Sequence, residues 1–130
     1  MARGLLNGPG GMDAKRTIEE IAAAAGARIV VRPEAAPPIA HVLAGDRISD
    51  LLDESSTSTL VVTNLASRQL LELADLMDVP AVCFLRGVEP DEALARAAVE
   101  RGTALLVSPA DMYETCGRIW ALFEDREGGE

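Results

Sequence analysis

Lysine is nearly missing from this chain. Lys and Arg together number 12 in 130 residues, and Lys15 is the only lysine. A phosphate-cradling kinase loop needs a glycine-rich turn followed by a lysine that reaches the terminal phosphates. Lys15 follows no strand-and-glycine unit, and no Gly-x-x-x-x-Gly-Lys occurs, which excludes that mode of phosphoryl transfer. Cationic clusters are missing too: the net charge is −9 and the arginines are scattered. Nucleic acids and anionic membrane surfaces bind through clustered cations that displace counterions, so neither is an expected partner.

Histidine occurs once, at His41, and cysteine twice, at Cys83 and Cys116, without a Cys-x-x-Cys pair. That spacing does not build a structural zinc site, and no cofactor is implied by the residues. Both cysteines fall in apolar segments, the expected setting of buried free thiols in a reducing cytoplasm. Long apolar runs are also lacking; none approaches the roughly 18–20 residues of a membrane-spanning helix. The opening "MARGLLNGPGGMD" has no apolar core of the secretory kind. It reads as a flexible leader over residues 1–12, in which Met12 could itself serve as initiator.

What remains is an ordinary globular composition, 48% hydrophobic and 25% charged, on a length that suits one domain. That domain is expected over residues 13–124, with residues 125–130 as a disordered tail. Thr17 opens a helical pattern with Ile18, Ile21, Ala22 and Ala25 on one face, ended by Gly26. "ARIVVR" and "IAHVLA" read as strands, joined through the proline-punctuated "PEAAPP". "DRISDLLDE" reads as a short helix, "STLVVTN" as a strand and "SRQLLELADLMD" as a helix. "PAVCFLRG" is a strand, "PDEALARAAVERG" a helix that buries Leu94, Ala97 and Ala98, and "TALLVS" a strand. The last helix is expected to open with Ser108 as cap and Pro109 in its first turn. Its inward stripe would be Met112, Cys116, Ile119, Trp120 and Phe123.

"LVV", "AVCFL" and "ALLV" are continuously apolar rather than alternating, as in strands covered on both faces. With strand–helix alternation and short links, this gives an α/β fold: a three-layer sandwich with a mostly parallel central sheet and helices on both faces.

The stretches "AGDRISDLL", "LVVTNLAS" and "LADLMDVPAVCFLRGVEPDEALARAAVERGTALLVSPADMYETCGRI" run in an order that resembles the DRTGG domain family. The resemblance extends from Ile39 to about Trp120. It implies a regulatory or dimerising module similar to the N-terminal domain of HPr kinase/phosphorylase, of the kind also found beside CBS domains in regulated pyrophosphatases and in phosphotransacetylases. Stand-alone members often carry a serine-kinase label, but the kinase machinery belongs to another domain. The family's Thr-Gly-Gly is replaced here: Asp46-Arg47 is followed by Ile48-Ser49.

Ligands of open parallel sheets bind beyond the carboxyl ends of the strands. Those ends carry Thr63-Asn64, Arg86-Gly87 and Ser108; the Gly45-Asp46 corner is a separate candidate, at which an Asp already occupying the helix cap disfavours an anion. A guanidinium, an amide and hydroxyls would suit a small phosphorylated or nucleotide ligand. A purely structural account also exists: Gly45 makes a turn, Asp46 caps the helix behind it, Asn64 and Ser67 make a turn and cap, and Arg86 is a rim residue. The acidic run "EPDE" at 89–92 sits at a helix start, where carboxylates favour the dipole, so no metal is expected there. Tyr113 and Trp120 stand seven apart on the last helix, either covering the sheet or forming a self-association face. The resulting expectation is a non-enzymatic, cytoplasmic, ligand-sensing module forming a homodimer. A small nucleotide-binding enzyme and a docking subunit of a larger enzyme are the alternatives.

Overall fold

The computed structural model of the chain describes residues 15–46, 57–65 and 78–128, with side chains as far as residue 124. The helices expected around 46–54 and 67–78, and the leader, fall outside the described residues. The elements in chain order are α1 (Ile18–Ala25), β1 (Arg28–Val31), β2 (His41–Ala44) and β3 (Thr59–Thr63). Then come β4 (Ala81–Phe84), α2 (Glu92–Arg101), β5 (Ala104–Val107) and α3 (Met112–Gly128).

The five strands form one sheet in the order β1-β5-β4-β3-β2. β2, β3, β4 and β5 are parallel and step across the sheet in sequence, while β1 joins β5 antiparallel on the far edge. The mostly parallel sheet expected from the continuous apolar runs is therefore present. Only β1 runs against it.

Side-chain alternation explains those runs. Leu60, Val62, Ala81, Cys83, Ala104 and Leu106 point to one face, where α1 packs with Ile18, Ile21, Ala22 and Ala25 and α3 with Ile119 and Phe123. Val61, Val82, Phe84, Leu105 and Val107 point to the other face, against Leu94 and Ala98 of α2. Every residue of β3, β4 and β5 is buried. Each fully buried leucine or isoleucine in these layers contributes roughly 1.5–3 kcal/mol. β4–α2–β5 is a parallel crossover of the kind that is almost always right-handed.

The helix ends follow local chemistry. Thr17 and Glu20 form a reciprocal capping box at the start of α1, and Gly26 ends it with φ of 69°, a conformation that costs glycine little. Asp91 caps α2, its carboxylate accepting from the Leu94 amide.

α3 departs from expectation at both ends. It begins at Met112, and Asp111 rather than Ser108 is the cap, its carboxylate accepting from the Glu114 amide at 2.9 Å. Ser108 is wholly buried directly after β5, so Pro109 and Ala110 serve as the link between strand and helix. At the other end the helix continues to Gly128, past the expected boundary at residue 124, over charged residues of adequate helix propensity. Its inward stripe is also narrower than expected. Ile119 and Phe123 are buried, Met112 and Cys116 half-buried, but Trp120 is 52% exposed and Tyr113 90% exposed.

No helix among the described residues is long and apolar enough to cross a membrane.

Candidate functional site

Because β2, β3, β4 and β5 are parallel, their carboxyl ends lie along one edge. The side chains picked out from the sequence gather there. Gly45 extends the β2–β3 ladder by one bond, its amide donating to the Val62 carbonyl at 3.0 Å, and this delivers Asp46 beside the end of β3. One oxygen of Asp46, Oδ1, accepts from the Thr63 hydroxyl at 3.0 Å and from the Asn64 amide at 2.7 Å. The other, Oδ2, accepts from Asn64 Nδ2 at 3.0 Å. Thr63 is fully buried, and its hydroxyl also accepts from the Leu65 amide at 3.1 Å. Asp46 is thus the hub of a three-residue network across two strand ends.

Burial acts to raise the Asp46 pKa, but the bonds from Asn64 and Thr63 and the nearby positive charge of Arg86 outweigh it. The carboxyl titrates below its ordinary value because each of these contacts favours the charged form.

Arg86 follows Leu85 off the end of β4. The Val88 amide donates to the Leu85 carbonyl at 3.0 Å, closing a tight turn whose central residues, Arg86 and Gly87, have φ of 56° and 70°. Two consecutive positive φ values define a type I′ turn. A glycine suits its second position, but the arginine at the first carries a cost of roughly 1–2 kcal/mol. A non-glycine residue in that region is uncommon; among the described residues Asp78, at φ of 57°, is the other one.

The turn is clamped to the sheet and to the start of α3. The amide of Arg86 donates to the Ala110 carbonyl at 2.9 Å and that of Gly87 to the Ser108 carbonyl at 2.8 Å. Beneath it the Ser108 and Thr115 hydroxyls lie 2.7 Å apart, and Ser108 Oγ accepts from the Ala110 amide. Ser108 is therefore a support of the Arg86 turn rather than a surface contact.

The structure thus brings Asp46, Thr63, Asn64 and Arg86 to one edge, sets Gly45, Gly87 and Ser108 behind them, places Tyr113 in the first turn of α3, and leaves Trp120 at a cleft beside β2. Sequence reasoning missed Asp111 and Thr115. Asp111 was legible as the first residue of an Asp-x-x-Glu capping pattern, whereas nothing local marks Thr115.

Trp120 borders a second feature. With Val42, Ala44, Cys116, Ile119 and Phe123 it lines an apolar cleft of about 220 Å³ between α3 and the edge strand β2. The two thiols are unsuited to nucleophilic work. Burial, with the proximity of Cys116, pushes Cys83 up to about 12, and burial raises Cys116, whereas reactive cysteines have lowered values. Among the described residues no group of three His, Cys, Asp or Glu side chains could hold a metal ion.

No family model matches the chain, and no curated protein matches it in sequence. Its fold is similar to a solved structure of the CBS and DRTGG domains of the regulatory region of Clostridium perfringens pyrophosphatase, complexed with its activator diadenosine tetraphosphate. The TM-score is 0.70 at 13% identity, and the match covers 86% of this chain and 49% of that one. The chain thus spans about half the length of that regulatory region. At this identity the likeness is one of fold, and it agrees with the fold that the DRTGG resemblance implies.

The Asp46 network makes a pH-dependent contribution with a definite sign. A folded-state pKa below the unfolded value stabilises the protein above the unfolded value and ceases to do so as pH falls through the folded one. Asp46→Asn should cost about 1 kcal/mol at pH 7, a charge-assisted bond discounted for exposure. Urea denaturation should show that deficit closing below about pH 4. A deficit that stays constant across the acid range contradicts this reading of the network.

Proposed function

We propose that this chain is a regulatory, ligand-sensing domain of the DRTGG type that binds a small phosphorylated or nucleotide ligand at the carboxyl edge of its sheet. The observation that carries the reading is Arg86. It is an exposed cation held in a disfavoured backbone conformation and clamped from behind, and its charge is felt by Asp46 of the Asp46–Thr63–Asn64 network. Its geometry suits recognition of an anionic group. The regulatory region with a similar fold was solved with a nucleotide activator bound, which supports the same class of ligand. The two free thiols suit a reducing compartment such as the cytoplasm.

A thermal-melting screen of adenine nucleotides and sugar phosphates tests this. A true ligand stabilises by roughly 2.7 kcal/mol at a hundredfold excess over Kd, a shift of several degrees. Arg86→Gly relieves the backbone cost and should leave the protein at least as stable while abolishing the shift. Asn64→Ala should weaken it. Melting shifts that survive both substitutions contradict a site at this edge.

Self-association is proposed at a separate surface, the α3 face that carries Tyr113 and Trp120. The apolar cleft beside Trp120 and the partly exposed edge strand β2 support it, since aromatics bordering apolar clefts are characteristic of interface anchors. Light scattering should give a dimer for the wild type and a shift toward monomer for Trp120→Ala. A wild type that is monomeric at high concentration removes this part of the proposal.

A further inference from the structure

The donors and acceptors left free at the carboxyl edge narrow the class of ligand. Among the described residues at this edge, five backbone amides are already committed. Gly45 donates to Val62, Asn64 to Asp46, Leu65 to Thr63, Arg86 to Ala110 and Gly87 to Ser108. The Thr63 hydroxyl is spent on Asp46.

What remains is of mixed sign. The Arg86 guanidinium is a free fork of donors. Among the described residues the Asp46 carboxylate takes two donors on Oδ1 and one on Oδ2, against the roughly four lone-pair sites of an ionised carboxylate. The exposed Asn64 amide lies beside it with its own carbonyl acceptor. A carboxylate held in its charged form repels a bare phosphate, so this edge is ill suited to an inorganic or acyl phosphate that offers only oxyanions. It suits a molecule with hydroxyl donors at one end and an anion at the other.

We propose, on the basis that the carboxyl edge is the ligand site, that Asp46 and Asn64 accept the vicinal hydroxyls of a pentose while Arg86 holds its phosphate. The ligand class is then a pentose phosphate, free or within a nucleotide. A carboxylate at the end of a strand is a general solution for binding ribose hydroxyls in open α/β sheets. The spacing also fits. Asp46 leaves β2 and Arg86 leaves β4, with Asn64 directly after β3 between them, and two strand spacings amount to roughly 9–10 Å. Allowing for the reach of the arginine side chain, that gap is of the order of the distance from the hydroxyls to the phosphate of a pentose 5-phosphate.

Titration calorimetry on the full chain tests this with four probes: ribose 5-phosphate, 2-deoxyribose 5-phosphate, inorganic phosphate and adenosine monophosphate. Ribose 5-phosphate and adenosine monophosphate should bind. The deoxy sugar should be about tenfold weaker or worse, the loss expected for one hydrogen bond to a charged group, and inorganic phosphate should be undetectable. Asp46→Asn should lose ribose 5-phosphate affinity yet gain affinity for inorganic phosphate, because the repelling charge is gone. A role of Asp46 in folding alone would lower ribose 5-phosphate affinity with no gain for inorganic phosphate.

Inorganic phosphate binding as tightly as ribose 5-phosphate, in an Arg86-dependent manner, overturns the hydroxyl assignment and leaves the edge as an anion site. Absence of binding by every probe, with the fold intact by circular dichroism, overturns the hydroxyl assignment and the edge site together.

Discussion

Both faces of β3, β4 and β5 are closed to water, and successive residues along each strand feed opposite cores. Leu60 and Val62 meet the α1 and α3 side while Val61 meets the α2 side, and β4 and β5 repeat the alternation. This double burial removes any freedom of register, since a one-residue slip would exchange the two cores. With the strands fixed side by side and parallel, their carboxyl ends are fixed too. Asp46, Asn64 and Arg86 owe their relative positions to packing that occurs several residues away from them.

The carboxyl edge departs from the economy of the core. Arg86 takes a backbone conformation better suited to glycine, and the Asp46 carboxylate is held charged near it by Thr63 and Asn64. The surroundings enforce both: the Ser108 and Ala110 carbonyls hold the turn amides, and the Ser108–Thr115 hydroxyl pair supports the strand end below. Such arrangements rigidify a site before a ligand arrives, so less ordering has to occur on binding. The cleft beside Trp120 differs in kind. Its described lining residues, beside an edge strand, are all apolar, which suits a protein surface better than a phosphorylated small molecule.

The fold was legible wherever a signal is local or periodic. The unbroken apolar runs revealed strands covered on both sides, Gly26 and Gly102 marked helix ends, and Ile18, Ile21, Ala22 and Ala25 fell on a buried face as their spacing required. The antiparallel direction of β1 was not legible, because it depends on which strand accepts it rather than on its own residues. Trp120 fits the apolar stripe of α3 by spacing, yet more than half of it is in water, because it stands at the flank of the buried Ile119–Phe123 line and borders the open cleft beside edge strand β2. Ser108 resembles a cap in sequence, but β5 carries it into the interior and Asp111 takes that role. At the site, the residue types were readable from the strand ends. The bonds that join Asp46 to Asn64 across 18 positions of sequence were not, since only the parallel pairing of β2 with β3 creates them.

The account stands on ligand recognition at the carboxyl edge of the sheet, and amide chemical-shift mapping during titration with ribose 5-phosphate tests that most directly. The perturbed amides should cluster at residues 45–46, 63–65 and 86–88, with Cys116, Ile119, Trp120 and Phe123 of the apolar cleft unmoved. Perturbations centred on the Trp120 cleft, with the Arg86 turn silent, would contradict it.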